Sequence, residues 1–464
     1  MNWVNRLLLV VMSAGLGIAV FPPIGWEVLA IVAWLPLLLA LRDLRPSHAF
    51  YLGLFHGVVF FGVTMSWLRN VFVDTSHMIV PLLLVMALFT ALFARGYAVV
   101  QRRYSPGWTV AIFAACWWGS TEFYRSEILY LKFPWMTPGV GLGPTCISPV
   151  LGVSGASFLI ILVTALSCQK KRHCITGAVM MAALFGLTEL QKHRSSPEDT
   201  AVNILAVQNE SFILEDYLKL TEGAELEVKP DIIIWPEYAL PYDVRRQPQD
   251  MAKLHALVQK KDATLIVGTQ TELSEAPGSW YNTALALDKN GVLGEHYKNQ
   301  TLHFFDDGVA GTEAKSVQTS QWKIGTPICF DCDYQDVIRR MVNDGAELLT
   351  IPSMEGARWG EKEHYQHAEF FRHRAAENGR WIAVASTSGV TQIIDPYGNR
   401  VKSIPIMDEG ILTAEIGAIQ ELTFYTKVGW LFPWIIMITG ALWVTLLFIQ
   451  GLVDKKRNSK NLES

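Results

Sequence analysis

Apolar runs broken by short polar stretches fill the first 190 residues, and one more apolar run lies just before the end of the chain. At 1.5 Å per helical residue, about 20 such residues cross a bilayer core of about 30 Å. Eight stretches are expected spans: Val4 to Val20, Glu27 to Leu41, Tyr51 to Leu68, Met78 to Val100, Trp108 to Phe123, Ile147 to Cys168, Ile175 to Glu189 and Val428 to Leu452. Pro36 interrupts the second and Pro81 the fourth, and the seventh is short. No small-x-small cleavage site follows the first run, which leads into Phe21-Pro22-Pro23-Ile24-Gly25-Trp26, so it reads as a retained span and not a signal peptide.

Between Thr200 and Thr426 the period changes. Short β-branched stretches alternate with amphipathic ones, which predicts strands joined by helices. The expected strands include Val202 to Gln208, Asp231 to Trp235, Thr264 to Gly268, Asn282 to Leu287, Lys323 to Cys329, Glu347 to Ile351, Trp381 to Ser386 and Thr391 to Ile394. Asp250 to Asp262 and Glu361 to Asn378 carry helical periodicity, while Asp288 to Gly291 and Asp395 to Asn399 are turn sequences. The expected organisation is a seven-span domain over 1–190, an α/β domain over 200–426, a last span over 428–452 and a tail over 453–464.

Charge follows the same division. Residues 1–190 carry 12 basic and 6 acidic side chains, residues 191–425 carry 22 and 35, and residues 426–464 carry 5 and 2. The middle domain therefore has a net charge of −13, within a chain of 464 residues that is 50% hydrophobic with a mean hydropathy of +0.23. This excludes a disordered chain, a collagen-like fibre and a nucleic-acid binder with a basic body.

With the N-terminus inside, the inner loops and tails hold Arg6, Arg42, Arg45, Arg102, Arg103, Lys170, Lys171, Arg172, Lys455, Lys456, Arg457 and Lys460. The outer loops hold only Arg69, Arg125 and Lys132. The positive-inside rule then puts the acidic domain across the membrane, in the periplasm of a bacterial cell. Six cysteines spread over both halves suggest neither a disulfide framework nor a zinc ribbon.

Three polar residues follow apolar strands, where a side chain emerges from a sheet. Glu237 ends Ile232-Ile233-Ile234-Trp235-Pro236-Glu237, Lys298 follows Gly294-Glu295-His296-Tyr297, and Cys329 ends Ile324-Gly325-Thr326-Pro327-Ile328-Cys329. Singly, each reads as a solvated or packed residue. Together they suit acyl transfer: a thiolate nucleophile, a carboxylate to take its proton and an ammonium to stabilise an oxyanion.

The order Glu, Lys, Cys in these contexts resembles the nitrilase superfamily, and Cys329-Phe330-Asp331 and Arg374-Ala375-Ala376-Glu377-Asn378-Gly379 resemble two of its further signatures. The resemblance implies an αββα sandwich appended to the multi-span helical membrane domain. Phe21 to Trp26, Glu122-Phe123-Tyr124-Arg125, Phe133-Pro134-Trp135 and Gly152 to Phe158 look like the membrane segments of bacterial apolipoprotein N-acyltransferases. That resemblance implies an enzyme of the inner membrane with its catalytic domain on the periplasmic side. It implies Glu237 as general base, Lys298 as oxyanion partner and Cys329 as acylated nucleophile. The acyl donor is then a membrane phospholipid, the acceptor the N-terminal amine of a diacylglyceryl-cysteine lipoprotein, and the intermediate a thioester. No metal, nucleotide or other cofactor is required.

Departures from the family lie where substrate binds. Lys298 is followed by Asn299-Gln300-Thr301-Leu302-His303-Phe304-Phe305-Asp306-Asp307, so the assisting acid is either Asp306 or Asp307. Asp331 stands where the acyltransferases usually have Glu, and Ser353-Met354-Glu355-Gly356-Ala357-Arg358-Trp359 replaces an Asn-Asp-x-Trp-Phe stretch. Arg125, at the outer end of a span, is placed either to meet a phospholipid phosphate or simply to snorkel. Cys329 and Cys332 form a Cys-x-x-Cys with no second pair, so Cys332 reads as a structural thiol. His364, His367 and His373 share a helical segment with Glu363; a metal site is the minor reading for want of a third ligand at convincing spacing, and a solvated or packing role the favoured one. Two rival functions stay open: a membrane-anchored carbon–nitrogen hydrolase, or amidase, using the same triad, and a non-catalytic membrane receptor or scaffold.

Overall fold

The computed structural model describes residues 1–73, 75–194, 200–224 and 228–463, except for the side chains of 200 and 455–463. The basic side chains expected inside at Lys455, Lys456, Arg457 and Lys460 thus lie outside the described residues. The chain divides into two compact units, one of residues 1–142, 153–187 and 431–464, the other of residues 143–152 and 188–430.

The first unit is helical. Among the described residues, six helices are long and apolar enough to cross a membrane, at Trp3–Val20, Pro46–Thr64, Ser76–Arg103, Ser148–Ser167, Lys171–Lys192 and Gly429–Asp454. Two expected spans differ. The stretch 27–41 is split into a 3-10 turn, Glu27–Ile31, and a short helix, Leu35–Ala40, with Pro36 in the first turn of the second piece, where its missing N–H has no partner to lose. The stretch 108–123 is a helix of 16 residues that runs on as a π turn, Tyr124–Ile128.

Small residues let two of these helices meet. A Cβ at Gly53 would lie 2.6 Å from Ala94 Cβ, and one at Gly57 would lie 2.6 Å from Ala87 Cα, so glycine is what permits the backbones of Pro46–Thr64 and Ile79–Arg103 to approach. Arg6, buried, donates to the carbonyls of Ala40 and Arg42, which satisfies an otherwise costly charge with backbone acceptors.

Among the described residues, the second unit holds twelve strands: β1 (Thr200–Gln208), β2 (Ile232–Ile234), β3 (Thr264–Glu272), β4 (Trp280–Asp288), β5 (Gly291–Tyr297), β6 (Val317–Gln318), β7 (Lys323–Gly325), β8 (Leu348–Ser353), β9 (Ile382–Ser386), β10 (Gln392–Ile394), β11 (Arg400–Ser403) and β12 (Gly410–Ala418). They form two six-stranded sheets, ordered β12-β1-β2-β3-β4-β5 and β11-β10-β9-β8-β7-β6. In the first sheet β1, β2 and β3 run parallel, and β1 pairs antiparallel with β12, Thr200 opposite Ala418 and Gln208 opposite Gly410.

Alternation along the strands sorts side chains into three apolar interfaces. Ile204, Ile232, Ile234 and Ile266 of one sheet meet Ile324, Leu348, Ala383 and Ile393 of the other. Their neighbours Leu205, Ile233, Trp235 and Leu265 face outward onto helices Leu214–Gly223 and Pro248–Lys261. Leu349, Ile351, Ile382 and Val384 face helices Asp336–Asn343 and Glu361–Asn378. Three interfaces make four layers, helix, sheet, sheet, helix. Each fully buried Ile or Leu contributes about 1.5–3 kcal/mol, so the register that keeps all three interfaces apolar is strongly favoured over a slip by one.

Candidate active site

Glu237 leaves β2 through a turn that its neighbours hold. The Trp235 ring stacks on Tyr217 with centroids 5.2 Å apart, and its Nε1 donates to Thr221 at 3.0 Å. Pro236 then stops the strand, and a Cβ at Gly268 on β3 would lie 2.2 Å from the Pro236 carbonyl, so only glycine lets the Glu237 backbone pass. Tyr238 completes the turn at φ 55°.

Lys298 follows β5 directly, its amide donating to the Asn282 carbonyl at 2.8 Å. Its Nζ lies 2.9 Å from Glu237 Oε1 and 2.8 Å from Asp307 Oδ2, and all three side chains are buried. Asn282 Nδ2 lies 2.6 Å from Glu237 Oε1, 2.8 Å from Tyr238 Oη and 2.9 Å from Asp307 Oδ1, while Tyr238 Oη donates to Asp307 Oδ1 at 2.6 Å. The Leu302 amide donates to Asp307 Oδ2 at 2.9 Å. The result is one buried ammonium between two carboxylates.

Cys329 does not end a strand, as its sequence suggested. β7 stops at Gly325, and Cys329 opens a 3-10 turn, Cys329–Asp333, at φ 46°. Pro327 ahead of it cannot donate to the ladder, which accounts for the early end of β7. The Cys329 Sγ is 3.8 Å from the Met354 carbonyl.

Electrostatics follow from this crowding. Burial pushes the Glu237 carboxyl up, Asp307 adds to the rise, and Lys298 opposes it. Burial works against the Lys298 ammonium, yet Asp307 and Glu237 outweigh it and raise its pKa well above that of an ordinary lysine. Burial also opposes ionisation of Asp307, but Lys298 and Tyr238 hold it below the usual carboxylate value. The Cys329 thiol is raised well above its usual value by burial and by Glu237, with Lys298 opposing. At rest the thiol keeps its proton, so a base is needed to make the thiolate, and Glu237 is the carboxylate suited to receive a proton.

A second buried cluster backs the thiol. His367 Nδ1 is 2.5 Å from Glu355 Oε1, and its Nε2 is 3.2 Å from Asp333 Oδ1. Ser353 Oγ donates to Glu355 Oε1 at 2.8 Å, and Ser386 Oγ donates to Glu355 Oε2. Although burial opposes it, bonding to His367 and Ser386 holds Glu355 down at about 2, and Asp333 and Glu355 raise His367 well above its usual value against the effect of burial.

A cavity of about 550 Å³ opens over Glu237, Lys298 and Cys329. Phe212, Leu302, Phe305, Met354 and Trp359 give it apolar walls, and Glu210, Asp306 and Arg358 add charge.

The other expected site residues fall in three places. Asp306 lines the cavity but is exposed, while Asp307 makes the bonds to Lys298. Asp331 is no part of the cavity wall. It accepts from the amides of Asn299 at 2.9 Å, Gln300 at 2.8 Å and Ile328 at 3.1 Å, and lies 2.9 Å from His296 Nε2, so it ties the end of β5 to the Cys329 turn. Arg125 is buried in the helical unit, not left at a free edge. It donates to the Trp135 carbonyl at 3.0 Å, stacks over Phe61 and lines a small cavity with Glu122.

Cys332 is a free thiol packed in the outer apolar interface. His364, His367 and His373 are all buried, which corrects the solvated alternative for that segment. Asn282, Tyr238, Glu355 and His367 were not singled out for the site from the sequence. A fully buried Asn ahead of the apolar run Ala284 to Leu287 was the available signal for the first.

Comparison with known proteins gives two matches along the chain. Residues 13–166 match the apolipoprotein N-acyltransferase N-terminal domain family, and residues 206–422 match the carbon–nitrogen hydrolase family. The apolipoprotein N-acyltransferase of Pseudomonas aeruginosa strain UCBPP-PA14 is 28% identical, with 92% of each chain covered. That of Geobacter metallireducens is 24% identical, with 95% of each covered. Among solved structures, an amidase from Nesterenkonia sp. covers 51% of this chain and 95% of its own at 16% identity and a TM-score of 0.41.

Proposed function

The chain belongs to the apolipoprotein N-acyltransferases of the nitrilase superfamily, and we propose that it works through Glu237, Lys298 and Cys329, with a membrane phospholipid as acyl donor and a diacylated lipoprotein as acceptor. The observation that carries the assignment of residues is the buried Lys298 bonded to both Glu237 and Asp307, with Cys329 on the same cavity.

In the first half-reaction Glu237 takes the Cys329 proton as Sγ attacks an ester carbonyl of the phospholipid. The oxyanion that forms is stabilised by the Lys298 ammonium, whose two carboxylate partners keep it charged and fixed. The ester C–O bond breaks, Glu237 returns the proton to the departing lysophospholipid alcohol, and a thioester remains on Cys329. In the second half the lipoprotein amine attacks that thioester, Glu237 takes a proton from the amine, the C–S bond breaks and the thiolate is reprotonated. The product is an amide. Using one site twice allows two bulky lipids to be handled in turn.

The apolar walls at Phe212, Leu302, Phe305, Met354 and Trp359 suit an acyl chain. Apolar helices suit substrates whose tails stay in lipid, since each methylene drawn into water costs about 0.8 kcal/mol. The distribution of basic residues supports an inner-membrane location with the α/β unit on the periplasmic side.

The test is a two-step assay. Purified protein incubated with acyl-labelled phospholipid is expected to give a hydroxylamine-sensitive adduct, absent in Cys329→Ala, that chases onto a diacylated lipopeptide amine. Adduct that is lost only to water in the presence of the lipopeptide would sink the acyltransferase reading and favour the hydrolase.

A further inference from the structure

Cys329 Sγ, a carboxylate oxygen of Glu355 and a ring nitrogen of His367 all lie within 4.8 Å of one another, and all three residues are buried. Thiolate, imidazole and carboxylate are the three side chains that bind zinc, and on a tetrahedral ion at 2.0–2.3 Å they stand roughly 3.3–3.8 Å apart. Shifts of about 1 Å bring these donors to that spacing. The histidine is also oriented as a metal ligand would be. Its Nδ1 faces Glu355 at 2.5 Å, and Nε2 is engaged by Asp333 at 3.2 Å, the carboxylate–histidine arrangement that fixes a ligand ring from behind. Ser353 and Ser386 do the same for Glu355.

Charge favours a cation here. Glu237 and Asp307 both bond Lys298, and Glu355 and Asp333 both lie on His367, so four carboxylates face these two cations around the thiol. Of the three donors, Cys329 lines the 550 Å³ cavity, which gives an ion a path to the cluster. Cys332 takes no part, since its thiol packs in the opposite apolar interface.

We propose that Cys329, Glu355 and His367 form an inhibitory zinc site that caps the nucleophile. Zn²⁺ enters from the cavity, the thiol proton and the hydrogen shared between Nδ1 and Glu355 leave to solvent, and Zn–S, Zn–N and Zn–O bonds form without any change of oxidation state. No acyl group can then be accepted until the metal is removed. The capping of catalysis rests on the reading of Cys329 as nucleophile; the binding of metal rests only on the three donors.

The experiment uses the full-length protein in detergent with zinc chloride, reading metal bound per chain and the rate at which a maleimide alkylates Cys329, located by peptide mass. One equivalent is expected to bind and to slow alkylation at least tenfold, with EDTA restoring the rate. His367→Asn and Glu355→Gln are each expected to weaken zinc binding at least tenfold while leaving Cys329 open to alkylation. Co²⁺ in the otherwise unaltered chain supplies a measurement independent of how those variants fold: a thiolate-to-metal charge-transfer band is expected, absent in Cys329→Ser. No bound zinc, no such band, or protection that persists unchanged in a folded His367→Asn would overturn the site. Zinc binding and protection in a protein that forms no acyl adduct would leave the site standing and sink the acyltransferase reading instead.

Discussion

Asp307 Oδ2 lies 2.8 Å from Lys298 Nζ, on an ammonium that also meets Glu237 at 2.9 Å. One cation held by two buried carboxylates cannot swing away, and one of those carboxylates is available to take a proton. Cys329→Ala is expected to abolish acyl transfer. Glu237→Gln is expected to reduce it about a thousandfold, within the usual range for loss of a general base, and Lys298→Met by a similar factor through loss of oxyanion stabilisation. Single-turnover adduct formation measures both. Activity of Glu237→Gln within tenfold of the parent would remove Glu237 from the role of base.

Asp307→Asn tests the electrostatic part separately. The Asp307 charge helps hold Glu237 above the ordinary carboxylate value, so its removal lowers the Glu237 pKa and moves the acid limb of the rate profile to lower pH. The rate at the plateau falls as well, because Tyr238 and Leu302 lose an ionised acceptor. A plateau that falls with an unmoved limb would mean that Asp307 only holds shape.

Glu363 offers a stability measurement away from the reacting atoms. Its carboxyl is buried, and burial pushes it up to about 8 from 4.5. The folded state therefore holds a proton that the unfolded chain releases above pH 4.5, and stability falls as pH rises from about 4.5 to about 8. Glu363→Gln removes this dependence and is expected to stabilise the protein at pH 7 by roughly 3 kcal/mol, at about 1.4 kcal/mol per pH unit. Thermal inactivation in detergent reads it, and the difference between the two proteins is expected to vanish near pH 4.5.

Gly268→Ala is expected to cost activity beyond its effect on folding. The added methyl meets the Pro236 carbonyl at 2.2 Å and the Glu237 Cα at 2.6 Å, so the turn carrying Glu237 must move. Overpacking of this kind costs roughly 1–3 kcal/mol. A displacement of about 1 Å at a reacting group is worth about a hundredfold in rate. Wild-type rates in a destabilised variant would show that the turn has slack.

Glu237 was readable because it follows a strand with a strong apolar signature. Ile232 to Trp235 alternates between two buried interfaces, so Glu237 had to emerge at the end of a central strand. Strands with weaker patterns were harder to read: β11, almost wholly exposed, was missed, and of the largely half-buried β5 only Gly294 to Tyr297 was read as strand. The position of Cys329 on a turn was hidden because Ile324 to Ile328 reads as a continuous strand until Pro327 breaks the ladder. Contacts such as Asn282 to Glu237 and His367 to Glu355 join residues far apart in sequence, and no local pattern reports them.

The antiparallel pairing of β1 with β12 sets Thr200 opposite Ala418, so the stretch that carries all of the described strands begins and finishes on adjacent strands, about 5 Å apart. The span that carries both sheets therefore enters and leaves at one edge of the first sheet, while residues 143–152 and 419–430 belong to the same unit. A graft of the two sheets from a relative therefore keeps its strand junction at Thr200 and Ala418, but must carry the segment that binds back to it, where Thr426 Oγ1 donates to Asn378 at 3.0 Å.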